Sequence, residues 1–229
     1  MKREFLTTKD GSVTIHLPDW NEQYHSKHGA ILEAQHVFIK QGLEFFISSE
    51  EYNAADPVSV LEIGFGTGLN AFLTALYAES HELTIDYTGV EAYPVAASEV
   101  KQLNYPQLLD ASEELFGKIH TSQWEQPASI SEVLTLTKRK QFFSEINDKE
   151  AHHLIYFDAF GARVQPELWT EEIFQLMFIA LRPGGVLVTY SAKGSVRRAM
   201  QAVGFIVERL PGPPGKREML RGVKLAVSG

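Results

Sequence analysis

The sequence predicts an α/β chain: a mostly parallel sheet interleaved with helices and closed at its C-terminal edge by an antiparallel hairpin. Three observations predict it. Short apolar runs alternate with helical patterns from residue 57 onward, as parallel βαβ units require. The first run ends in glycine and passes directly into a helix, in "VSVLEIGFGTGLNAFLTALYAES". The last two runs, "GFIVERL" and "REMLRGVKLAV", have only the tight "PGPPGK" between them, so they should pair antiparallel.

The elements follow in order. "FLTTKDGSVTIHL" alternates around Asp10-Gly11, a hairpin signal. From Asn21 to Glu50 the pattern is helical, with Glu33, Val37 and Phe38 among its members. Residues 1–56 thus read as an N-terminal extension of hairpin and helix, and 57–229 as the core of a single domain. "DPVSVLEIG" is a buried strand and "LNAFLTALYAES" its helix. "LTIDYTGVEA" is a second strand, and "PVAASEVKQL" a second helix opened by Pro94. Residues 104–130 carry no clear period. "SEVLTLTKRKQFFSEI" fits a strand and then a helix. "HHLIYFDAF" is a buried strand, and "PELWTEEIFQLMFIAL" a helix with Pro166 at its start and "RPGG" past its end. "VLVTYSA" and "GSVRRAMQAV" give a further strand and helix.

Composition narrows the class. The chain has 229 residues, 44% of them hydrophobic, which suits one large domain or two small ones. No run approaches the length of a membrane span, and the N-terminus lacks the apolar core of a signal peptide. There is no cysteine, which removes disulfides, thiolate zinc sites and a thiol nucleophile. A cytoplasmic protein without a membrane partner is expected. The net charge of −8 is unevenly spread: residues 181–229 hold nine Lys or Arg against two Asp or Glu. A basic face on an acidic body is what a polyanion partner would meet.

The glycine run poses the chemical question. A strand, a glycine-rich turn and a helix bring backbone amides and a helix N-terminus up to a nucleotide. From Gly66, "GTGLNA" fits the dinucleotide pattern G-x-G-x-x-A. The register opposes that reading. The first glycine after the strand is Gly64, and Leu69 stands where the third dinucleotide glycine would fall. Glu62 also precedes the loop, and a carboxylate there repels a pyrophosphate but suits a cationic ligand.

"E-x-G-x-G-x-G", Glu62 to Gly68, resembles motif I of the class I S-adenosyl-methionine-dependent methyltransferases, which have a Rossmann-like fold. That resemblance implies S-adenosyl-methionine as cofactor, held by Glu62, Gly64, Phe65, Gly66, Gly68 and Asn70. It also implies that Glu91, at the end of the second strand, accepts hydrogen bonds from the ribose hydroxyls, and that Asp158 borders the cofactor. More of the chain is similar to one branch. "VEAYP", "DAFGARVQPELWT", "RPGGVLVTYSAKGSVRRAM" and "KREMLRGV" resemble the methyltransferase half of the bifunctional tRNA 5-methylaminomethyl-2-thiouridine biosynthesis proteins, as does "YHSKHGAILEAQHVFI" through Tyr24, Ser26, Glu33, Val37 and Phe38. This implies methylation of the aminomethyl group of a tRNA wobble uridine. Two departures stand out. Lys140 follows the third strand, where the family places an adenine-binding aspartate. The sequence also carries no FAD-dependent oxidase half, so the amine precursor is expected from a separate FAD-dependent oxidase or other upstream modification enzyme.

The chemistry is expected at "LIYFDAF". Asp158 and Phe160 end that strand at the edge where parallel sheets bind ligands. An alkylamine is mostly protonated at neutral pH. Asp158 would orient the ammonium and take its proton, and Phe160 would form a cation–π wall. Lys193, Arg197, Arg198, Lys216 and Arg217, with Arg221 and Lys224 beyond them, are candidates for tRNA phosphates. His25 and His28 form H-x-x-H, but no further ligands accompany them and no metal is expected. Trp169 reads as packing. Two alternatives stay open at this level: a methyltransferase or aminopropyltransferase for a small-molecule amine, and a non-catalytic nucleotide-binding module.

Overall fold

A computed structural model describes residues 2–226. Its centre is an eight-stranded sheet of order β10-β11-β9-β8-β4-β5-β7-β6. Here β4 is Val58–Ile63, β5 Ile85–Val90, β6 Pro127–Ser129, β7 Leu134–Arg139 and β8 His152–Phe157. β9 is Leu181–Thr189, β10 Ile206–Pro211 and β11 Glu218–Val223. β7, β5, β4, β8 and β9 run parallel, and the β10–β11 hairpin closes one edge antiparallel. The opposite edge carries a short antiparallel strand, β6, from the stretch that shows no period in the sequence. The strands are apolar on both faces because helices cover both. One buried cluster joins the helix Leu69–His81 and the N-terminal helix to one face, and a second joins the helices Glu171–Ala180 and Gly194–Ala202 to the other.

The expected N-terminal hairpin is present as β1 (Glu4–Thr7) and β2 (Val13–Leu17), with β3 (Glu22–Gln23) added to its edge. The helix begins at Ala30, not near Asn21. Residues before it are drawn into the small sheet, and the hairpin turn itself caps the helix. Ser12 Oγ accepts from Ala30 N and Asp10 Oδ2 from Leu32 N. From Ala30–Ala34 the helix continues through the π-wound segment Gln35–Glu44 to Phe45–Ile47. Gly42 in that segment lets it lie directly on β8 and β9, since a Cβ there would meet Val188 at 3.0 Å.

Four further expectations need correction. The helix after β5 is only Ala97–Val100, and Pro94 lies outside it, because Glu99 folds back to accept from Ala96 N and starts the helix late. "PELWTEEIFQLMFIAL" is not one helix. Pro166–Trp169 forms a 3₁₀ turn, and extended Thr170 caps a new helix, Glu171–Ala180. The segment "QFFSEI" yields only the 3₁₀ turn Phe143–Glu145. "RPGG" is drawn into β9, which starts at Leu181. The final strand is observed to Val223, and the Val227 of its expected run lies outside the described residues.

The register sets up the site. Ile63 pairs with Val90 on one side and with Phe157 on the other. Gly64, Glu91 and Asp158 are therefore each the first residue past adjacent parallel strands, and they emerge together at one edge.

Candidate active site

A cavity of about 890 Å³ opens at that edge. Its floor is the glycine loop and its sides are Glu91, Asp158–Phe160 and Tyr190, with Trp20 and Tyr24 reaching over from the N-terminal sheet. The glycines answer to close approach. A Cβ on Gly64, whose φ is +90°, would stand 2.7 Å from the Asp158 carbonyl oxygen. One on Gly66, at φ +49°, would meet the Tyr24 ring at 3.1 Å. Side chains are excluded where β4 must lie against β8 and where Tyr24 covers the loop. Gly68 differs from the expectation. It begins the helix Leu69–His81 and faces His120, so it shapes the turn and does not line the cavity. Phe65 touches the cavity, but its ring is 3% exposed and lies over Gly89.

Two carboxylates share one amide. Asn70 Nδ2 donates to Glu62 Oε1 at 2.8 Å and to Asp158 Oδ2 at 2.9 Å. The Tyr87 hydroxyl donates to Glu62 Oε2 at 2.9 Å. Burial and the neighbouring Asp158 charge push the Glu62 carboxyl well above the usual range. Burial also pushes Asp158 up to about 7, with the Asn70 hydrogen bond acting the other way. Two adjacent acidic groups, Glu62 buried and Asp158 half-buried, disfavour double ionisation and favour a bound cation. Asn70 Oδ1 is buried without a hydrogen-bond partner among the described residues, and it is an acceptor for which an ammonium is a fitting donor. Glu91 accepts from Gly66 N at 3.0 Å and Tyr93 N at 2.9 Å, which fixes its carboxylate at the end of β5.

The Asp158–Phe160 segment is pinned along its backbone. Asp158 N donates to Ile63 O, Tyr190 Oη to Ala159 O at 2.8 Å, and Trp169 Nε1 to Phe160 O at 2.7 Å. Trp169 thus packs, as expected, and also positions this loop. Phe160 stands edge-on to Tyr24 and Trp20, with ring centroids 4.9 and 5.7 Å apart. Arg163 Nη2 binds Trp20 O, Asn21 O and Glu22 Oε2, tying the loop after Phe160 to the N-terminal sheet.

Lys140 does follow β7, but it is exposed and outside the cavity, and its amide donates to Glu125. Phe142, Phe143 and Ser144 line that side instead. Lys193, Arg198 and Arg217 are exposed and Arg197 half-buried, on the segments that follow β9 and join β10 to β11. Lys216 is committed inside the fold: its ammonium pairs with the buried Glu33 carboxylate and sits 3.8 Å from the Tyr190 ring centroid. Arg221 and Lys224 are also engaged and not free for phosphates. Arg221 pairs with Glu208 over the Phe45 ring, and Lys224 binds Leu181 O. His25 is taken up by Thr14 and Thr67, and burial lowers its pKa to about 4, whereas His28 is exposed.

Sequence reasoning missed Trp20, Gln23, Tyr190 and the Phe142–Ser144 turn as cavity residues, and treated Tyr24 only as part of a resemblance. For Tyr190 a signal existed, since it follows β9 as Asp158 follows β8. For Trp20 and Gln23 none did, because only tertiary docking brings β3 to the site.

A family model described as S-adenosyl-L-methionine-dependent methyltransferase matches residues 108–225, just over half of the chain. Among solved structures, MNMC2 from Aquifex aeolicus is similar with a TM-score of 0.76 and 25% identity, over 98% of this chain and 71% of that one. Spermidine synthase from Thermotoga maritima (TM-score 0.57, 13% identity, 99% and 70% of the two chains) is similar in fold. So is a probable spermidine synthase from Corynebacterium glutamicum (0.55, 17%, 96% and 76%). At those identities the likeness is one of fold alone and does not favour the small-amine reading. No helix among the described residues is long and apolar enough to cross a membrane.

Proposed function

The chain belongs to the S-adenosyl-L-methionine-dependent methyltransferase family, and from that premise we propose that it is an N-methyltransferase for the aminomethyl group of a tRNA wobble uridine. The observation that carries the amine is Asp158, half-buried in the cavity wall next to Phe160 and held by Asn70. A carboxylate next to an aromatic wall is complementary to a cation and not to a phosphate. The likeness to MNMC2, the sequence resemblance and the basic residues after β9 support a tRNA acceptor.

The residues divide the work. Glu62 and Asn70, beside the glycine loop, would hold the amino-acid end of S-adenosyl-methionine, and Glu91 its ribose. When bound, the cofactor supplies an electrophilic methyl group on a sulfonium. Asp158 would attract the acceptor ammonium and take its proton, leaving the nitrogen lone pair free for the methyl group. An ordinary alkylammonium has a pKa of about 10, so this proton must be drawn off inside the site. Phe160, held by Trp169 Nε1, gives the cation a fixed face. Orientation of nucleophile and methyl supplies a large part of the rate. A separate FAD-dependent oxidase or another upstream modification enzyme would provide the amine.

The test pairs calorimetry with transfer. S-adenosyl-methionine should bind and NAD should not. Label from the cofactor should enter tRNA whose wobble uridine bears the aminomethyl group, and not tRNA lacking it. Equal labelling of both tRNAs would overturn the acceptor.

A further inference from the structure

The N-terminal sheet is more than a brace. It contributes Trp20, Gln23 and Tyr24 to the cavity, facing Phe160 and Gln165 on the loop after β8. Neither the indole nitrogen of Trp20 nor the side-chain amides of Gln23 and Gln165 has a hydrogen-bond partner among the described residues, although all three residues are half-buried. Half-buried donors and acceptors left free in a ligand cavity are poised for a ligand's polar edge. The rings around them are held in place. Phe160 meets Tyr24 and Trp20 edge-on, and Arg163 locks the two walls together through Trp20 O, Asn21 O and Glu22.

We propose that Trp20 and Gln23 of the N-terminal sheet, with Phe160 and Gln165 opposite, form the recess that selects the acceptor base. Its ligand is a planar ring with an amide-like edge, a pyrimidine carrying the reactive alkylamine. The base packs against the rings, Gln23 and Gln165 pair with its N–H and carbonyl groups, and the amine reaches Asp158. A simple amine lacks that edge and uses only Asp158 and Phe160. This assignment rests on the methyl-transfer reading but is tested apart from it. The chemistry is shared by a free nucleoside and by the same base in tRNA, so both are used as probes.

The protein has three tryptophans, Trp20, Trp124 and Trp169, hence three indole N–H signals in a nitrogen–proton spectrum. A Trp20→Phe variant identifies the Trp20 signal. Adding 5-aminomethyluridine, or undermodified tRNA, should shift the Trp20 signal and leave that of Trp124 unmoved. Gln23→Leu should raise the KM for undermodified tRNA about tenfold, the loss of roughly one paired polar edge, with kcat and S-adenosyl-methionine affinity near those of the parent. Movement of Trp20 by the nucleoside without tRNA identifies the base itself as the ligand, whereas movement by tRNA alone shows that the base is read only in its polynucleotide. An unmoved Trp20 signal with both probes, or a parental KM in a Gln23→Leu variant that still binds the cofactor, would overturn the proposal. A moved Trp20 signal without methyl transfer would sustain the recess and refute the reaction.

Discussion

Asp158 is where burial, charge and chemistry meet. Its carboxyl is raised to about 7 by burial, while an unfolded aspartate titrates near 3.8. A group raised in the folded state contributes stability that is full below the unfolded value and lost as pH climbs through the folded one. In the absence of bound ligand, ionised Asp158 thus destabilises the fold above pH 7. Asp158→Asn should raise Tm at pH 8 by about 2–4 °C, the shift that ~1 kcal/mol gives in a domain of this size. The gain should vanish near pH 4, and thermal scans at the two pH values check it. Activity should move the other way. Turnover of the parent should rise with pH through about 7. The Asn variant should lose about 10- to 1,000-fold, the span of general-base assistance, together with that inflection. Stopped-time assays across pH read both effects.

At the scale of elements, the glycine loop and the N-terminal sheet share one constraint. Tyr24 lies against Gly66, so Gly66→Val would strain a positive φ and drive a side chain into that ring. Cofactor binding should be abolished in calorimetry while the far-ultraviolet dichroism of the sheet and helices persists. Arg163→Ala should loosen the junction of the two walls and raise acceptor KM several-fold, with S-adenosyl-methionine affinity little changed, because Arg163 touches neither the glycine loop nor Glu91. Much of this layout was legible in the sequence. Strand ends are marked locally, by apolar runs that stop at Gly64, Glu91 and Asp158, and the register of a parallel sheet then brings them together. Trp20 and Gln23 were not legible, since their approach to Phe160 depends on how a three-stranded sheet docks more than a hundred residues away in sequence. The basic residues show the limit from the other side. Charge alone did not distinguish exposed Arg198 from Arg221, which is buried against Glu208 and Phe45.

Over the whole molecule, an acidic chain of net charge −8 carries a basic C-terminal segment in which Lys193, Arg198 and Arg217 are exposed. If Arg197 and Arg198 meet phosphates, tRNA affinity should fall with salt, with a log–log slope of about −0.9 per phosphate contacted in duplex regions. Replacing both by Ala should flatten that slope and raise the tRNA KM without altering cofactor affinity, as filter binding over a salt series would read. In the proposed reaction this family member places its methyl group on the aminomethyl nitrogen of the wobble uridine. The most direct measurement is nucleoside analysis by mass spectrometry after reaction of undermodified tRNA with isotope-labelled S-adenosyl-methionine. One labelled methyl group is expected, on the side-chain nitrogen of the wobble nucleoside, and with Asp158→Asn it should appear about 10- to 1,000-fold more slowly. Label on a ribose, on a ring atom or at another tRNA position, with the wobble amine unmethylated, would contradict it.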